Sequence, residues 1–210
     1  MIQLKHVNKT FGRDIALVDI NAHFEEGLIH GLIGRNGTGK TVLMKCIVGL
    51  MPITSGKIIV DGKQIGVDVE MPDSLGAIIE TPGFLPNYSG YTNLKFLADI
   101  RGRASEKEIR LAMKRVGLDP DDKKWVSHYS LGMRQRLGIA QAIMEDPKLL
   151  ILDEPMNGLD NRGVMSMRKL FSQLCDEGKT ILLATHNPLD VDELCDTVHE
   201  MDSGLLTELE

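Results

Sequence analysis

The chain has 210 residues, which fits one α/β domain with a small subdomain. It carries 24 lysines and arginines against 30 aspartates and glutamates, a formal charge of -6, and no basic run that could follow a nucleic-acid backbone, so no nucleic-acid partner is expected. Its apolar stretches are far shorter than the roughly 18 to 20 residues that cross a bilayer, and its first residues lack the pattern of an export signal, so we expect a cytoplasmic chain.

The N-terminal part predicts antiparallel strands, because alternating and β-branched residues are separated by turn sequences. The strand candidates are residues 2–7, 16–24 and 57–60, with turns at Phe11-Gly12, Ser55-Gly56 and Asp61-Gly62. Apolar runs at residues 28–33, 77–79, 149–152 and 180–184 alternate with longer helical segments. This alternation predicts an α/β fold, a mixed, mostly parallel sheet flanked by helices, with an antiparallel N-terminal part.

A phosphate-binding loop is predicted at residues 34–41, which read GRNGTGKT and match G-x-x-x-x-G-K-[ST] at every required position. Glycines let the backbone amides approach phosphate oxygens, and the following helix adds unpaired N–H groups. Lys40 is expected to reach the β- and γ-phosphates, and the Thr41 hydroxyl to join the shell of a Mg²⁺ ion. The expected binding residues of this loop are Gly34, Asn36, Gly37, Thr38, Gly39, Lys40 and Thr41.

Between Pro82 and Asp146 the pattern changes to helices, punctuated by prolines and glycines. One predicted apolar helical face holds Leu94, Leu97 and Ile100, and the next segment has Ile109, Leu111, Met113 and Val116. We interpret residues 82–146 as a helical subdomain inserted into a nucleotide-binding core of residues 1–81 and 147–210.

Polar side chains follow two apolar runs where a ligand site would open. Asp153 would hold Mg²⁺, and Glu154 would accept a proton from the water that attacks the γ-phosphate. His186 could donate a hydrogen bond to that phosphate. These roles make Glu154, His186 and Lys40 the catalytic candidates. Further along, residues 198–206, split at Ser203-Gly204, predict a closing hairpin.

The remaining cysteines and histidines are interpreted as ordinary residues. Cys46, Cys175 and Cys195 form no C-x-x-C pair and are odd in number, which favours reduced thiols that pack in the interior over disulfides or a zinc site. The other five histidines are scattered and are expected to be common surface or core residues.

In this order the motifs resemble the ATP-binding subunits of ATP-binding-cassette (ABC) transporters, and the likeness covers essentially the whole chain. The resemblance implies an adenine-stacking role for Phe11, a signature at residues 129–133, a D-loop at residues 157–160 and a switch role for His186. Stacking tolerates either purine, so preference for ATP over GTP stays open at this point.

The signature implies a dimer. Ser130 is a good N-cap, and Gly132 leaves its backbone N–H open to an anion. In the resembling family this segment binds the nucleotide of the partner subunit, which implies an ATP-induced head-to-tail homodimer to which Asp160 of the D-loop also contributes. Here Leu131 and Met133 replace the usual glycine and glutamine. Ser130 and Gly132 keep their expected roles, but Met133 cannot have the polar role of the glutamine.

Glu80 stands where the family normally carries a glutamine that contacts Mg²⁺ and the attacking water. The sequence around Glu80 and the signature resemble those of the branch of this family that exports bacitracin and lantibiotics for self-protection. We expect Glu80 to lie beside the cofactors ATP and Mg²⁺ and to belong to the metal site with Thr41 and Asp153. We also expect it to couple hydrolysis to the membrane subunits.

These observations predict an ATPase subunit that powers transport through separate membrane-spanning permease subunits, attached to the inner face of the cell membrane. The alternative is a soluble ABC ATPase that acts in translation or DNA repair, although such proteins usually carry two cassettes or a long insertion. A nucleotide-binding module without turnover is disfavoured, because Lys40, Asp153, Glu154 and His186 are all present.

Overall fold

Two β-sheets form the framework of the computed structural model, which describes residues 1–209. The smaller sheet is antiparallel, with strand order β2-β1-β4-β5. Its strands are β1 (Ile2–Phe11), β2 (Asp14–Phe24), β4 (Ser55–Val60) and β5 (Lys63–Gln64). Asp61 and Gly62 join β4 to β5 with φ of 51° and 78°, the positive values that tight hairpin turns of type I′ require.

The larger sheet has the order β10-β9-β3-β8-β7-β6. Its strands are β3 (Ile29–Ile33), β6 (Leu75–Ile78), β7 (Leu149–Asp153), β8 (Thr180–Ala184), β9 (Thr197–Asp202) and β10 (Leu205–Leu209). All neighbours are parallel except the hairpin of β9 and β10, which turns at Ser203-Gly204 as predicted. The carboxyl ends of β3, β6, β7 and β8 therefore lie along one edge.

Six α-helices connect and cover the strands within residues 1–209. They are α1 (Lys40–Ile47), α2 (Gly90–Arg101), α3 (Glu106–Arg115), α4 (Leu131–Ile143), α5 (Asn161–Asp176) and α6 (Pro188–Leu194). Most begin at a side-chain cap; Ser105 and Glu108, for example, form a reciprocal capping box at α3. No helix in the described part of the chain has the length and apolarity needed to span a membrane.

The central strands are buried on both faces, which explains their uninterrupted apolar sequences. On β7, Leu149 and Ile151 face a core formed with α1 and the small sheet, whereas Leu150 and Leu152 face a second core formed with the other helices. The fold class predicted from the sequence, an α/β fold with a mixed sheet, an antiparallel N-terminal part and additional helices, is confirmed.

The helices between residues 82 and 146 do not enclose a core of their own. Leu94 of α2, Met113 of α3 and Leu137 of α4 belong to the same buried cluster as Leu150 of β7 and Phe171 of α5. The interior of this helical region is therefore continuous with one face of the large sheet.

Two local expectations from the sequence are wrong. Ser55-Gly56 is no turn but the start of β4, where Ser55 pairs with Asn8 and Gly56 adopts a φ of 95° at a break in the register. Ile100 and Leu111 do not belong to the buried helix faces, since 79% and 54% of their surfaces are exposed. The helices turn other positions inward, such as Ala98 and Ala112, which are buried.

Candidate active site

A cleft of about 610 Å³ opens between the carboxyl edge of the large sheet and the start of α1. It collects polar side chains that lie far apart in the sequence, from the phosphate loop (residues 34–41), from the loop after β6 and from the end of β7. The expected residues that line it are Asn36, Gly37, Thr38, Gly39, Lys40, Thr41, Glu80, Asp153 and Glu154.

The phosphate loop requires its glycines. Gly34, Gly37 and Gly39 have φ of 140°, 83° and 113°, conformations that residues with side chains rarely adopt. A methyl group at Gly34 would clash with the carbonyl oxygen of Met201, and one at Gly39 would lie 2.7 Å from the carbonyl oxygen of Ala16. The loop is thus fitted closely against β9 and β2 as well as being turned tightly.

Lys40 lies inside this loop and is 6% exposed. Its Nζ donates to the carbonyl oxygens of Gly34 at 2.6 Å and Arg35 at 3.0 Å. An ammonium group has three donors, so two carbonyls hold it in place and leave one N–H for an anion in the cleft. Its charge is therefore fixed at the base of the phosphate loop.

Thr41 and Asp153 form an oxygen pair across the cleft. The Thr41 Oγ1 donates to Asp153 Oδ2 at 2.7 Å, which links the first turn of α1 to the end of β7. Hydroxyl and carboxylate oxygens side by side are the ligand type that hard divalent cations prefer.

Glu154 and His186 are in direct contact. His186 Nδ1 lies 2.8 Å from Glu154 Oε1, and the backbone N–H of Glu154 donates to the carbonyl oxygen of Ala184 at 3.0 Å. The side chain of Glu154 is 20% exposed and that of His186 is 63% exposed. A carboxylate at the wall of the cleft is thereby oriented by an imidazole from the neighbouring strand end.

Glu80 forms an ion pair that the sequence did not predict. Lys45 of α1 donates from its Nζ to Glu80 Oε1 at 2.7 Å. Glu80 and Glu154 both have positive φ, 64° and 48°, just beyond the neighbouring strands β6 and β7. Such conformations cost non-glycine residues of order 1–3 kcal/mol and cluster at functional sites. Two strained glutamates therefore face one cleft.

The remaining expected residues lie outside the lining of this cleft. Gly34 and His186 line a neighbouring cavity of about 370 Å³. Phe11 ends β1 with 45% of its surface exposed, and Lys9 Nζ lies 4.7 Å from the centre of its ring. An exposed ring at this position is free to stack on a planar ligand.

Ser130, Gly132 and Asp160 lie together at the ends of two helices. Ser130 Oγ accepts from the N–H of Met133 at 3.1 Å and caps α4, and Asp160 Oδ1 accepts from the N–H of Gly163 at 2.9 Å and caps α5. A methyl group at Gly132 would lie 3.1 Å from the carbonyl oxygen of Gly158, so the signature and the D-loop are adjacent. Ser130, Gly132 and Asp160 do not line the cleft of the same chain, although Asn157 of the D-loop does.

Several residues of the cleft were missed. The backbone N–H of Gly204 donates to the carbonyl oxygen of Thr38 at 3.1 Å, while that of Val18 donates to the carbonyl oxygen of Gly204 at 2.8 Å. The turn between β9 and β10 therefore supports the phosphate loop. Its turn sequence was recognised, but nothing local signals its place. The residues missed in the lining are Ile15, Ala16, Val42, Thr81, Gln135, Asn157, Ser203 and Gly204.

The three cysteines are free thiols. Burial raises the pKa of Cys46, in α1 behind the phosphate loop, to about 11, and it raises that of Cys195 to about 12. Burial also raises the pKa of Cys175. Thiols with such pKa values are poor nucleophiles, so they act in packing.

The fold and the cleft define a phosphate-loop nucleotide-binding protein. The sequence matches the family described as ABC transporter over residues 17–157, well over half of its length. The chain belongs to this family, and it is an ATP-binding, ATP-hydrolysing subunit of such a transporter. The resemblance noted from the motifs is confirmed.

Relatives match over nearly the whole chain. The uncharacterized ABC transporter ATP-binding protein YybJ of Bacillus subtilis is 42% identical over 98% of this chain and 94% of its own length. The bacitracin transport ATP-binding protein BcrA of Enterococcus faecalis is 41% identical over 99% of this chain and 68% of its own length. The lantibiotic transport ATP-binding protein SrtF of Streptococcus pyogenes is 39% identical over 94% of this chain and 85% of its own length. These matches give no support to a role in translation or DNA repair.

Solved structures share the fold. The dimeric structure of MJ0796, a bacterial ABC transporter cassette, superposes with a TM-score of 0.89 at 22% identity, covering 100% of this chain and 99% of that one. The protein cbiO1 of Clostridium perfringens, part of an ABC transporter complex, gives a TM-score of 0.84 at 30% identity, covering 98% of this chain and 86% of that one.

Proposed function

We propose that this chain hydrolyses ATP to power export of a peptide antibiotic through separate permease subunits, for self-protection or resistance. The observation that carries the proposal is the combination of one cleft that gathers the phosphate loop, Asp153 and Glu154 with relatives named for bacitracin and lantibiotic transport. Glu80, in place of the usual glutamine, is the residue of this cleft that fits the same branch. The chain itself would act at the inner face of the cell membrane, attached to those permease subunits.

In this proposal the phosphate loop binds the triphosphate through its backbone amides and Lys40. The two carbonyls on Lys40 Nζ hold its charge at the base of the loop, where the β- and γ-phosphates would lie. Gly34, Asn36, Gly37, Thr38 and Gly39 supply the turn and its N–H groups, and Phe11 stacks on the adenine.

Mg²⁺ fits the oxygen ligands of the cleft. Thr41 and Asp153 would hold it, with Glu80 nearby, and the ion would neutralise phosphate charge when bound. Residues 1–209 contain no group of three or more histidine, cysteine, aspartate or glutamate side chains able to hold a metal. Phosphate oxygens and water would therefore complete the shell, as is usual for Mg²⁺.

Glu154 is the proposed general base. Its carboxylate lines the cleft and would accept the proton of the attacking water, while His186 holds that carboxylate through Oε1 and donates to the γ-phosphate during the reaction. A general base contributes about 10²- to 10⁴-fold in rate. Loss of Glu154 should therefore abolish turnover and spare binding.

Two copies would complete each site. Ser130 and Gly132 lie outside the cleft of their own chain, and Ser130, at the N-terminus of α4, is suited to bind phosphate held by a second protomer. Asp160 and the D-loop lie beside them. We propose an ATP-induced head-to-tail homodimer that hydrolyses two nucleotides per cycle.

Glu80 would transmit the state of the cleft to the permease. It joins the core (residues 1–81 and 147–210) to the proposed helical subdomain (residues 82–146), and its carboxylate is shared between the cleft and Lys45 of α1. Movement of nucleotide or cation in the cleft would change this ion pair and hence the position of the loop that leads to α2.

The test compares wild type with Glu154→Gln and a matched control, Glu177→Gln, whose carboxylate lies at the distant end of α5. Wild type and control should hydrolyse ATP, whereas Glu154→Gln should bind it, lose at least 10²-fold in kcat and form dimers with ATP and Mg²⁺ in size-exclusion chromatography. A Glu154→Gln variant with normal kcat, or one that remains monomeric with saturating ATP, would refute the mechanism. Co-purification with permease subunits and protection of cells from bacitracin or a lantibiotic would test the transport role.

A further inference from the structure

A buried ion pair joins α5 to α6 beside the active site. Arg168 of α5 and Asp190 of α6 are 9% and 2% exposed. The Arg168 Nε and Nη2 donate to Asp190 Oδ1 at 2.8 and 2.6 Å, and Nη1 donates to Glu193 Oε2 at 2.8 Å. Buried charges of this kind are retained only when they are paired and hydrogen bonded.

The second oxygen of Asp190 holds the residue that precedes His186. Thr185 is 2% exposed, and its Oγ1 donates to Asp190 Oδ2 at 2.9 Å. The same hydroxyl oxygen accepts from the backbone N–H of Asn187 at 3.1 Å. Asp190 therefore holds the backbone on both sides of His186 through the Thr185 hydroxyl, and its Oδ1 also accepts from Asn187 Nδ2 at 3.4 Å.

His186 depends on this support. Across residues 1–209 its ring makes one hydrogen bond, to Glu154, and 63% of its side chain is exposed. Packing alone does not hold an exposed ring, so its position follows from the backbone that carries it. That backbone is attached to the interior by Thr185.

We propose that Arg168 and Asp190 are positioning residues that, through the hydroxyl of Thr185, hold His186 against the carboxylate of Glu154. The inference rests on the proposed function, since it assigns these residues to the reaction performed at Glu154. Arg168 fixes the carboxylate, Asp190 fixes the hydroxyl, and the hydroxyl fixes the loop of residues 185–187. None of the three needs to contact the nucleotide.

The structure also offers a purely architectural role, in which the ion pair only stabilises α5 against α6. The two roles differ in whether the Thr185 hydroxyl matters for catalysis. Thr185→Val tests this, because it removes the hydroxyl while preserving the shape of the side chain and the Arg168–Asp190 pair. Thr185→Ser keeps the hydroxyl. Glu193→Gln is the matched control within the network, since it removes the charge of one carboxylate on Arg168 without touching Thr185.

The experiment measures kcat and KM for ATP on the full chain, with melting temperatures to verify folding. Thr185→Val should lower kcat about 10- to 100-fold, as expected when a catalytic group is displaced by about 1 Å, and leave KM within about twofold. Thr185→Ser and Glu193→Gln should keep kcat within about threefold of wild type. Normal kcat in Thr185→Val, or an equal loss in Glu193→Gln, would overturn the proposal.

A second readout does not require turnover. The side-chain ¹⁵N resonances of His186 report its hydrogen bond to Glu154, and they should shift in Thr185→Val and remain in place in Thr185→Ser. Unshifted resonances in Thr185→Val would overturn the inference even if the wild type were inactive. A wild type without ATPase activity whose resonances shift as expected would instead refute the proposed function alone.

Discussion

Two buried histidines should make this protein lose stability as the pH falls below about 6.5. His30 of β3 and His199 of β9 are each 1% exposed, with ring centroids 6.5 Å apart. Burial lowers the pKa of both imidazoles, against weaker opposing effects that include Glu208, and the proximity of His30 lowers the pKa of His199 further. The folded protein therefore binds fewer protons than the unfolded chain at mildly acidic pH.

The direction and the size of the change in stability follow from this difference in bound protons. The unfolded chain begins to take up protons at its ordinary histidine pKa of about 6.5, so stability is full above that pH and declines below it until the folded histidines also titrate. Each histidine contributes up to about 1.4 kcal/mol per pH unit, and the two together up to about 2.7.

His199→Leu separates the two contributions. Neither ring nitrogen of His199 has a hydrogen-bond partner, and Nε2 lies 4.0 Å from Glu208 Oε2, beyond bonding distance. Removing unsatisfied nitrogens at nearly constant volume should raise the free energy of unfolding at pH 8 by about 1–3 kcal/mol. It should also remove about half of the pH dependence contributed by the pair.

Urea unfolding followed by circular dichroism at pH 5 to 8 gives the free energy of unfolding and its pH dependence for the nucleotide-free protein. His23→Gln is the control, because it removes a histidine of β2 and leaves the His30–His199 pair intact. A His199→Leu variant with the wild-type slope between pH 5 and 6.5 would refute the reasoning.

Three further substitutions test the site and its framework. Gly34→Ala should weaken ATP binding at least tenfold in calorimetry, because its methyl group would meet the Met201 carbonyl, whereas Gly178→Ala, beyond α5 and also at a positive φ but with open space around it, should not. Glu80→Gln should lower ATPase activity and transport in the assembled complex; unchanged values would contradict the coupling role. Phe171→Ala, fully buried, should cost about 3–5 kcal/mol in urea unfolding, and a loss below 1 kcal/mol would contradict the assigned core.

Short-range chemistry made much of the site predictable from sequence. The phosphate loop is encoded in eight consecutive residues whose glycines and lysine have few other uses. Asp153 and Glu154 were recognisable because they end an apolar run that is long enough for a buried strand. The antiparallel strands and the closing hairpin were predicted for the same reason, since alternation and turn residues act locally.

Local patterns were less reliable where packing decides orientation. Ile100 and Leu111 have helical spacing but face solvent, because only one side of α2 and of α3 packs into the core that these helices share. Gly56 was interpreted as a turn but occupies a register break in β4. In each case the same residue type suits either outcome, and its neighbours in space make the choice.

The sequence by itself determined that this chain carries a phosphate loop, adjacent carboxylates at the end of a buried strand and an α/β fold. Only the tertiary structure decided that Ser203-Gly204 supports the phosphate loop, that Lys45 pairs with Glu80 and that Arg168 reaches Asp190 beside His186. The physical reason is that these partners meet through strand order and helix packing, which depend on the whole buried core and leave no mark in the local sequence.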